Sequence, residues 1–529
     1  MKGKIISKGI LSLALVAGLG ISSFAQKNWQ NLDLKKDSLF GISTDKAYTE
    51  LLKGKKSAPV VVGVLDGGVE IKHEDLKRVI WVNKKEIAGN GKDDDKNGYA
   101  DDVNGWNFLG SAKGSVNQET LELTRIINRD KAKFENATTA TVKPADTAAF
   151  KQYQDALLDY DKQTNEAKNA VQNIRGLKNV LDAIVKKIGK PTPELADFQN
   201  FKPGNEIEER LKGIMVSQLQ NSKYEDFYNA QITKGLVHYE EQLKYNLNLD
   251  FNPRPELVGD NYADSEQRNY GNNDVKGPDA SHGTHVAGII GADRTNSIGI
   301  NGVADNVMIM GVRSVPNGDE RDKDVANSIR YAVANGAKVL NMSFGKAYSW
   351  DKKAVDAAVK YAMSKDVLII QAAGNDNKNL DIEKSFPDRR YEGGGAADAY
   401  IVVGASGPKD DHTLKASFSN YGKTTVDVFA PGVQIYSTVP DSKYDAYDGT
   451  SMAAPVVAGL AALIRSYYPK LTAVQVKEII LKSVVKINHE VNIEGEEGAA
   501  PVGVPFTDLC QTGGIVNAYN ALKLAASYK

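Results

Sequence analysis

Apolar residues along this chain fall into two textures. The first is the unbroken run: "VVVGVLD" from Val60, "VMIMGVRSV" over 307–315, "AKVLNMSFG" over 337–345, "VLIIQAAGN" over 367–375 and "AYIVVGAS" over 399–406. Each has the length of a strand, and a run without alternation is what a strand buried on both faces requires. The second texture lies between several of them, in stretches such as "DKDVANSIRYAVANG" and "WDKKAVDAAVKYAMSKD", whose apolar residues recur at spacings of three and four. Strand alternating with helix predicts an α/β domain: a parallel sheet with helices on both faces and functional residues where its strands end.

From about residue 111 to 262 the strand-like runs stop, and lysine, glutamate, asparagine and glutamine dominate. Here Tyr153, Leu157, Tyr160, Ala167, Val171, Ile174, Leu181, Ile184 and Ile188 form a stripe at helical spacing that ends at Gly189 and Pro191. One long helix fits, with Gly176 as its weak point. A second pattern, through Ile207, Leu211, Met215 and Leu219 and on through Phe227, Leu236 and Leu243, predicts the return arm of a helical hairpin. The expected division is an α/β domain over 58–110 and 263–529, a helical insertion over 111–262, and a polar lead-in over 26–57 made of a short strand and loop.

Residues 1–25 have another grammar. Lys2, Lys4 and Lys8 precede an apolar run from Ile10 to Ile21, and small residues surround Ala25. This predicts an export signal cut near Ala25 and a secreted or periplasmic protein, since the run is too short to span a membrane. The single cysteine, Cys510, cannot form an internal disulfide, so stability must come from elsewhere, and a core of this size, with or without bound ions, is the expected source. Lysine plus arginine (66) balance aspartate plus glutamate (67), so the chain lacks the basic field that nucleic acid or an anionic membrane surface would need.

Candidate chemistry sits at the edges of the predicted elements. Asp66 ends the first apolar run before two glycines, where it is also an ordinary turn former. In "DASHGTHVAGIIG", Ser281 can cap a helix that carries His282 and His285 on roughly one face; no glutamate between them supports a zinc pair. "YDGTSMAAPVVAG" predicts a helix starting at Ser451, whose amino end leaves backbone N–H groups free for developing negative charge. "DDDKNGYADDVN" spaces oxygen donors as a calcium loop does: Asp93, Asp95, Asn97, the Tyr99 carbonyl and Asp101, with Gly98 at the turn. Asn104 stands where an EF-hand has glutamate, and no helices flank the loop.

Asp66, His282 and Ser451 follow the chain order aspartate, histidine, serine. Together with "VVGVLDGGVEIKHEDL", "HGTHVAG", "NGVA", "NMSFG", "AAGN", "ASFSNYG", "VDVFAPG" and "GTSMAAP", they resemble the subtilisin-like serine peptidases, station by station, over roughly 58–108 and 265–525. The resemblance implies a nucleophile at Ser451, a general base at His282, an orienting carboxylate at Asp66 and an oxyanion donor at Asn375, for which helix capping is the alternative. It implies polypeptide substrates lying extended beside Ser343, Phe344 and Gly345 and a second edge over 316–321. Ala372, Ala373 and Gly374 would complete an open, apolar side-chain pocket. It implies no catalytic cofactor, and a second structural calcium held by Asp75, Asn296 and the carbonyls of Ile298 and Ile300. Gly67 and Val456 depart from the family pattern, and the insertion between Asp66 and His282 departs further; a partner for the insertion, or a catalytically silent binding or adhesion role for the whole chain, is the rival expectation.

Overall fold

The computed structural model describes residues 26–495 and 500–528; the expected export signal lies outside the described residues. The chain divides into two compact units, one formed by Leu123–Phe251 and the other by Ala25–Glu122 with Asn252–Lys529.

The larger unit is built on strands β1 (Val60–Asp66), β2 (Gly105–Asn107), β3 (Val307–Arg313), β4 (Val339–Met342), β5 (Leu368–Ala372), β6 (Tyr400–Ser406), β7 (Val428–Pro431), the hairpin β8 (Ile435–Val439) and β9 (Lys443–Tyr447), then β10 (Val485–Lys486) and β11 (Gly514–Ile515). Apart from the hairpin, these form one nine-stranded sheet in the order β10-β11-β7-β6-β5-β4-β1-β3-β2. Its ladders are parallel except β10 with β11. Both faces are covered, which explains the unbroken apolar runs: Val62 and Val64 enter one core with Ile309 and Leu460, while Leu65 enters the other with Met310, Ile329 and Leu340.

Four helices matter for the site: α1 (Ser281–Gly291), α2 (Asp322–Ala334), α3 (Lys352–Ser364) and α4 (Thr450–Tyr467). Helix α4 is buried almost throughout and packs across β1, β4, β5, β6 and β7. The lead-in differs from the expected strand and loop. It forms short helical turns, Leu34–Asp37 and Thr44–Leu52, and Trp29, Phe40 and Ile42 are buried in the body. Ile42 accepts a hydrogen bond from the Ala518 amide at 2.7 Å, so this segment is stitched to the far end of the chain.

The smaller unit contains the long helix, Thr147–Ile188, of 42 residues. Gly189 ends it in the left-handed conformation (φ 77°), its amide bonded to the Val185 carbonyl. Glu206–Gln218 and a run from Tyr224 to Asn246, partly π-wound, return alongside it. Leu181, Ile184, Phe198, Leu211, Met215 and Phe227 close a separate apolar core.

Candidate active site

The carboxyl ends of the adjacent strands β1, β4 and β5 open on one side of the sheet, and each leads into a candidate group: Asp66, Ser343 and Asn375. Asp66 is 2% exposed, and its Oδ1 accepts the Gly67 amide at 2.7 Å. Helix α1 brings His282 against it. A side chain at Gly283 would meet the Gly68 carbonyl at 2.2 Å and Asp66 Cβ at 3.0 Å, so only glycine lets the first turn approach this closely. The result is a forked contact in which His282 Nδ1 donates to the Asp66 carboxylate at 2.8 and 3.0 Å. Partial burial pulls the imidazole pKa down, but the Asp66 charge and hydrogen bond outweigh it and hold it above the ordinary histidine value. The side chain stays 43% exposed, open to an incoming group. Ser281 is not the cap expected of it: it lies inside the helix, and its amide donates to Asp279 Oδ1 at 2.9 Å.

Helix α4 starts one residue before the expected point, at Thr450, so Ser451 is its second residue. Pro455, four residues on, has no N–H to give the Ser451 carbonyl. The Ser343 hydroxyl donates to that carbonyl instead, at 2.8 Å, and is itself fixed by Asn341 Nδ2 at 2.9 Å. In return the Ser451 hydroxyl donates to the Ser343 carbonyl at 3.1 Å. Among the described residues no hydrogen bond joins Ser451 to His282; Asp66 and His282 are in contact, and Ser451 is paired with Ser343.

Asn375 follows β5, and its Oδ1 accepts both the amide and the hydroxyl of Thr450, each at 2.9 Å. It therefore caps α4 from another loop, with its Nδ2 still directed elsewhere. A Cβ built on Gly449 would lie 3.5 Å from the Ser451 amide and 3.7 Å from Asn375 Nδ2, so two N–H donors border one small space that glycine keeps empty. Asn420, absent from the expected set, holds this loop: its Nδ2 donates to the Ala373 carbonyl and its Oδ1 accepts the amides of Asp376 and Lys378. Its only trace in the sequence is an asparagine before "YG".

A cleft of about 230 Å³ opens beside the dyad, lined by Asp66, Asp279, His282, Pro316, Asn317 and Ser343 among others. A Cβ on Gly345 would touch the Phe386 carbonyl and Ser385 Oγ, both at 3.3 Å. Ala372 and Ala373 are buried, one in each of the two cores flanking the sheet, and Phe344 packs against the core that holds Ala373. Arg321, at the end of the second edge, turns inward to pair with Glu119.

The family model of subtilases matches residues 57–499. The chain belongs to the subtilase family. It is 43% identical over 187 residues to the thermophilic serine proteinase of Bacillus sp. (strain AK1), covering 35% of this chain and 43% of that protein. It is 38% identical over 197 residues to subtilisin DY of Bacillus licheniformis, covering 37% of this chain and 67% of that one. The first of these alignments thus spans less than half of the relative's length. A solved structure of proteases from Pseudoalteromonas arctica shares 30% identity over 48% of this chain and 74% of the other, with a TM-score of 0.38.

Other expected site residues of this subtilase fall as follows. His285 stacks on Tyr447 with ring centroids 4.3 Å apart, and its Nε2 donates to the Asp445 carbonyl at 3.1 Å. The loop 86–102 regroups the expected calcium ligands. Asp101 spends its carboxylate on the amides of Gly89, Asn90 and Gly91, and Asp93 spends its own on Asn97 and Gly98. Asn97 bonds Asp102 and the Tyr99 amide, and the Tyr99 hydroxyl donates to the Arg268 carbonyl. Asp95 also meets Glu86 and Asp102, with ligand oxygens all within 4.8 Å of one another, while Glu86 accepts the amides of Asp94, Asp95 and Asp101. Burial raises the Asp102 pKa despite hydrogen bonds from Tyr331, Asn97 and Asn83. At the second expected site, Asp75 accepts Asn296 Nδ2 at 2.6 Å and the Ile300 amide at 3.0 Å, while the Ile298 amide donates to Asn296 Oδ1. Asn31 is tied to the same loop through the Asn301 carbonyl, and its buried Oδ1 has no hydrogen-bond partner among the described residues.

Proposed function

We propose that this chain is a secreted serine endopeptidase that cleaves peptide bonds through an acyl-enzyme on Ser451. The observation that carries the reading is the forked hydrogen bond from His282 Nδ1 to Asp66, because a histidine held at Nδ1 presents Nε2 as its basic nitrogen. A substrate carbonyl enters over Gly449. The Ser451 hydroxyl swings from the Ser343 carbonyl toward His282, which takes its proton as Oγ attacks. Negative charge on the carbonyl oxygen meets the Ser451 amide and Asn375 Nδ2, while Asp66 faces the imidazolium. The carbon–nitrogen bond then breaks, His282 protonates the leaving amine, and the acyl ester is hydrolysed by a water that His282 deprotonates in turn.

Polypeptides are the substrates in this reading, clasped between 316–321 and 343–345 by backbone pairing. Export follows from the signal expected over residues 1–25. No described helix is long and apolar enough to cross a membrane. Structural calcium fits two donor sets: the converging carboxylates of Glu86, Asp95 and Asp102, whose mutual repulsion a cation relieves, and Asp75 with the 296–300 loop.

Incubating the purified protein with a peptide library and sequencing new amino termini tests the activity. Internal cleavage that disappears in Ser451→Ala supports it; equal cleavage by the variant contradicts it.

A further inference from the structure

Lys346 directly follows the Ser343–Gly345 edge, and its side chain is 1% exposed. The ammonium donates to Glu122 Oε1 at 2.8 Å, to Asp322 Oδ1 at 2.7 Å and to the Glu320 carbonyl at 2.6 Å. Its backbone exchanges hydrogen bonds with Phe386 at 2.9 and 2.8 Å, which anchors the 343–345 edge from below. A charge this deep persists only where its partners are fixed, and equally it fixes them. The partners here come from separate segments: Glu320 lies on the second proposed substrate edge, Asp322 just follows it, and Glu122 is the residue of the larger unit that precedes the smaller unit in the chain.

The residues leading to Glu122 reinforce the same edge through a parallel bridge between Gln118 and Asn317. The Asn317 amide donates to the Asn117 carbonyl at 2.8 Å, and the Asn317 carbonyl accepts the Glu119 amide at 2.9 Å. Arg321 and Glu119 form a buried ion pair at 2.9 Å, and the Glu122 amide donates to Asp319 Oδ2 at 2.7 Å. One lysine thus joins the end of the 343–345 edge to the end of the 316–321 edge and to the segment that backs it.

We infer that Lys346, with Glu122 and the 117–119 segment, is a positioning clamp that fixes the separation of the two edges holding an extended peptide, and so favours long substrates over short ones. This rests on the peptidase reading above. Lys346 touches no reacting atom; its effect passes through the edges, whose contacts with residues remote from the scissile bond are available only to a long substrate.

The test compares kcat/KM on an internally quenched octapeptide with kcat/KM on p-nitrophenyl acetate, for the full chain and for Lys346→Met, Lys346→Arg and Glu122→Gln. In Lys346→Met the peptide-to-ester ratio is expected to fall ~10-fold, mainly through KM for the peptide. Glu122→Gln, which keeps an acceptor oxygen, gives a smaller fall, and Lys346→Arg restores part of the ratio. If Lys346→Met fails to fold, judged by circular dichroism, the other two variants carry the comparison. A ratio unchanged in every folded variant, or an equal fall on both substrates, overturns the clamp alone. Hydrolysis of neither substrate by the unaltered protein overturns the peptidase reading and the clamp with it.

Discussion

One side-chain oxygen, that of Asn375, receives both the amide and the hydroxyl of Thr450 at 2.9 Å. With the oxygen engaged, the amide nitrogen of the same planar group borders the space over Gly449 beside the Ser451 amide. In the proposed reaction, helix cap and oxyanion donor are two ends of one side chain, and the cap aims the donor.

Removing the donor should cost chemistry rather than binding. Asn375→Ala is expected to lower kcat by about 10²–10³ with little change in KM, the loss seen when the equivalent donor is removed from a subtilisin. Thr450→Val keeps the amide bond but loses the hydroxyl and strands the Gly374 amide that donates to it at 3.0 Å. Its kcat is expected to fall about tenfold. Wild-type turnover in Thr450→Val would contradict the aiming role.

Acid should weaken the fold through His285. Burial pushes its imidazole down to about 3, and the ring has no exposed surface. Its unfolded value is about 6.5, so between about 6.5 and about 3 the unfolded chain binds a proton that the folded one refuses. Stability then rises with pH across that window and is lost as pH falls through it, by on the order of a few kcal/mol in total. Urea unfolding between pH 7 and 4 should show a shallower slope for His285→Gln than for the unaltered protein; matching slopes would remove this explanation.

Chelation should lower the melting temperature, and the variants should say where. Asp95→Asn is expected to remove most of the calcium-dependent increment; a site at 100 times its dissociation constant contributes about 2.7 kcal/mol. Asp101→Asn should lower the melt with and without calcium alike, because its carboxylate holds the 89–91 turn. Melts indifferent to chelator, with no calcium found by metal analysis, would eliminate the proposed ions.

The lead-in should behave as core. Trp29 is 2% exposed and donates from Nε1 to the carbonyls of Val433 and Gln434. Trp29→Ala is expected to destabilise the protein by about 3–5 kcal/mol. A loss below about 1 kcal/mol in chemical denaturation would mark the segment as dispensable.

The candidate reacting groups are legible in the chain because each follows a strand run or opens a helix, where a polar residue beside glycine or alanine stands out. The long helix is legible because a 42-residue element repeats its period many times. Which carboxylate faces which is another matter. Asp93, Asp95, Asp101 and Asp102 look alike in sequence, yet Asp101 turns to three amides while Asp95 and Asp102 meet Glu86 across an irregular loop. Trp29, Phe40 and Ile42 follow neither helical nor strand spacing, so their burial emerges only when the rest of the core is in place. Asn420 and Lys346 act on loops distant in sequence, and no local pattern announces that.

In the proposed reaction His282, poised by Asp66, activates Ser451. Reaction with a fluorophosphonate followed by peptide mass mapping tests it most directly. A single adduct is expected on Ser451, formed at a rate that falls about 10³-fold or more in His282→Ala. An adduct elsewhere, or labelling of Ser451 at an unchanged rate without His282, would contradict it.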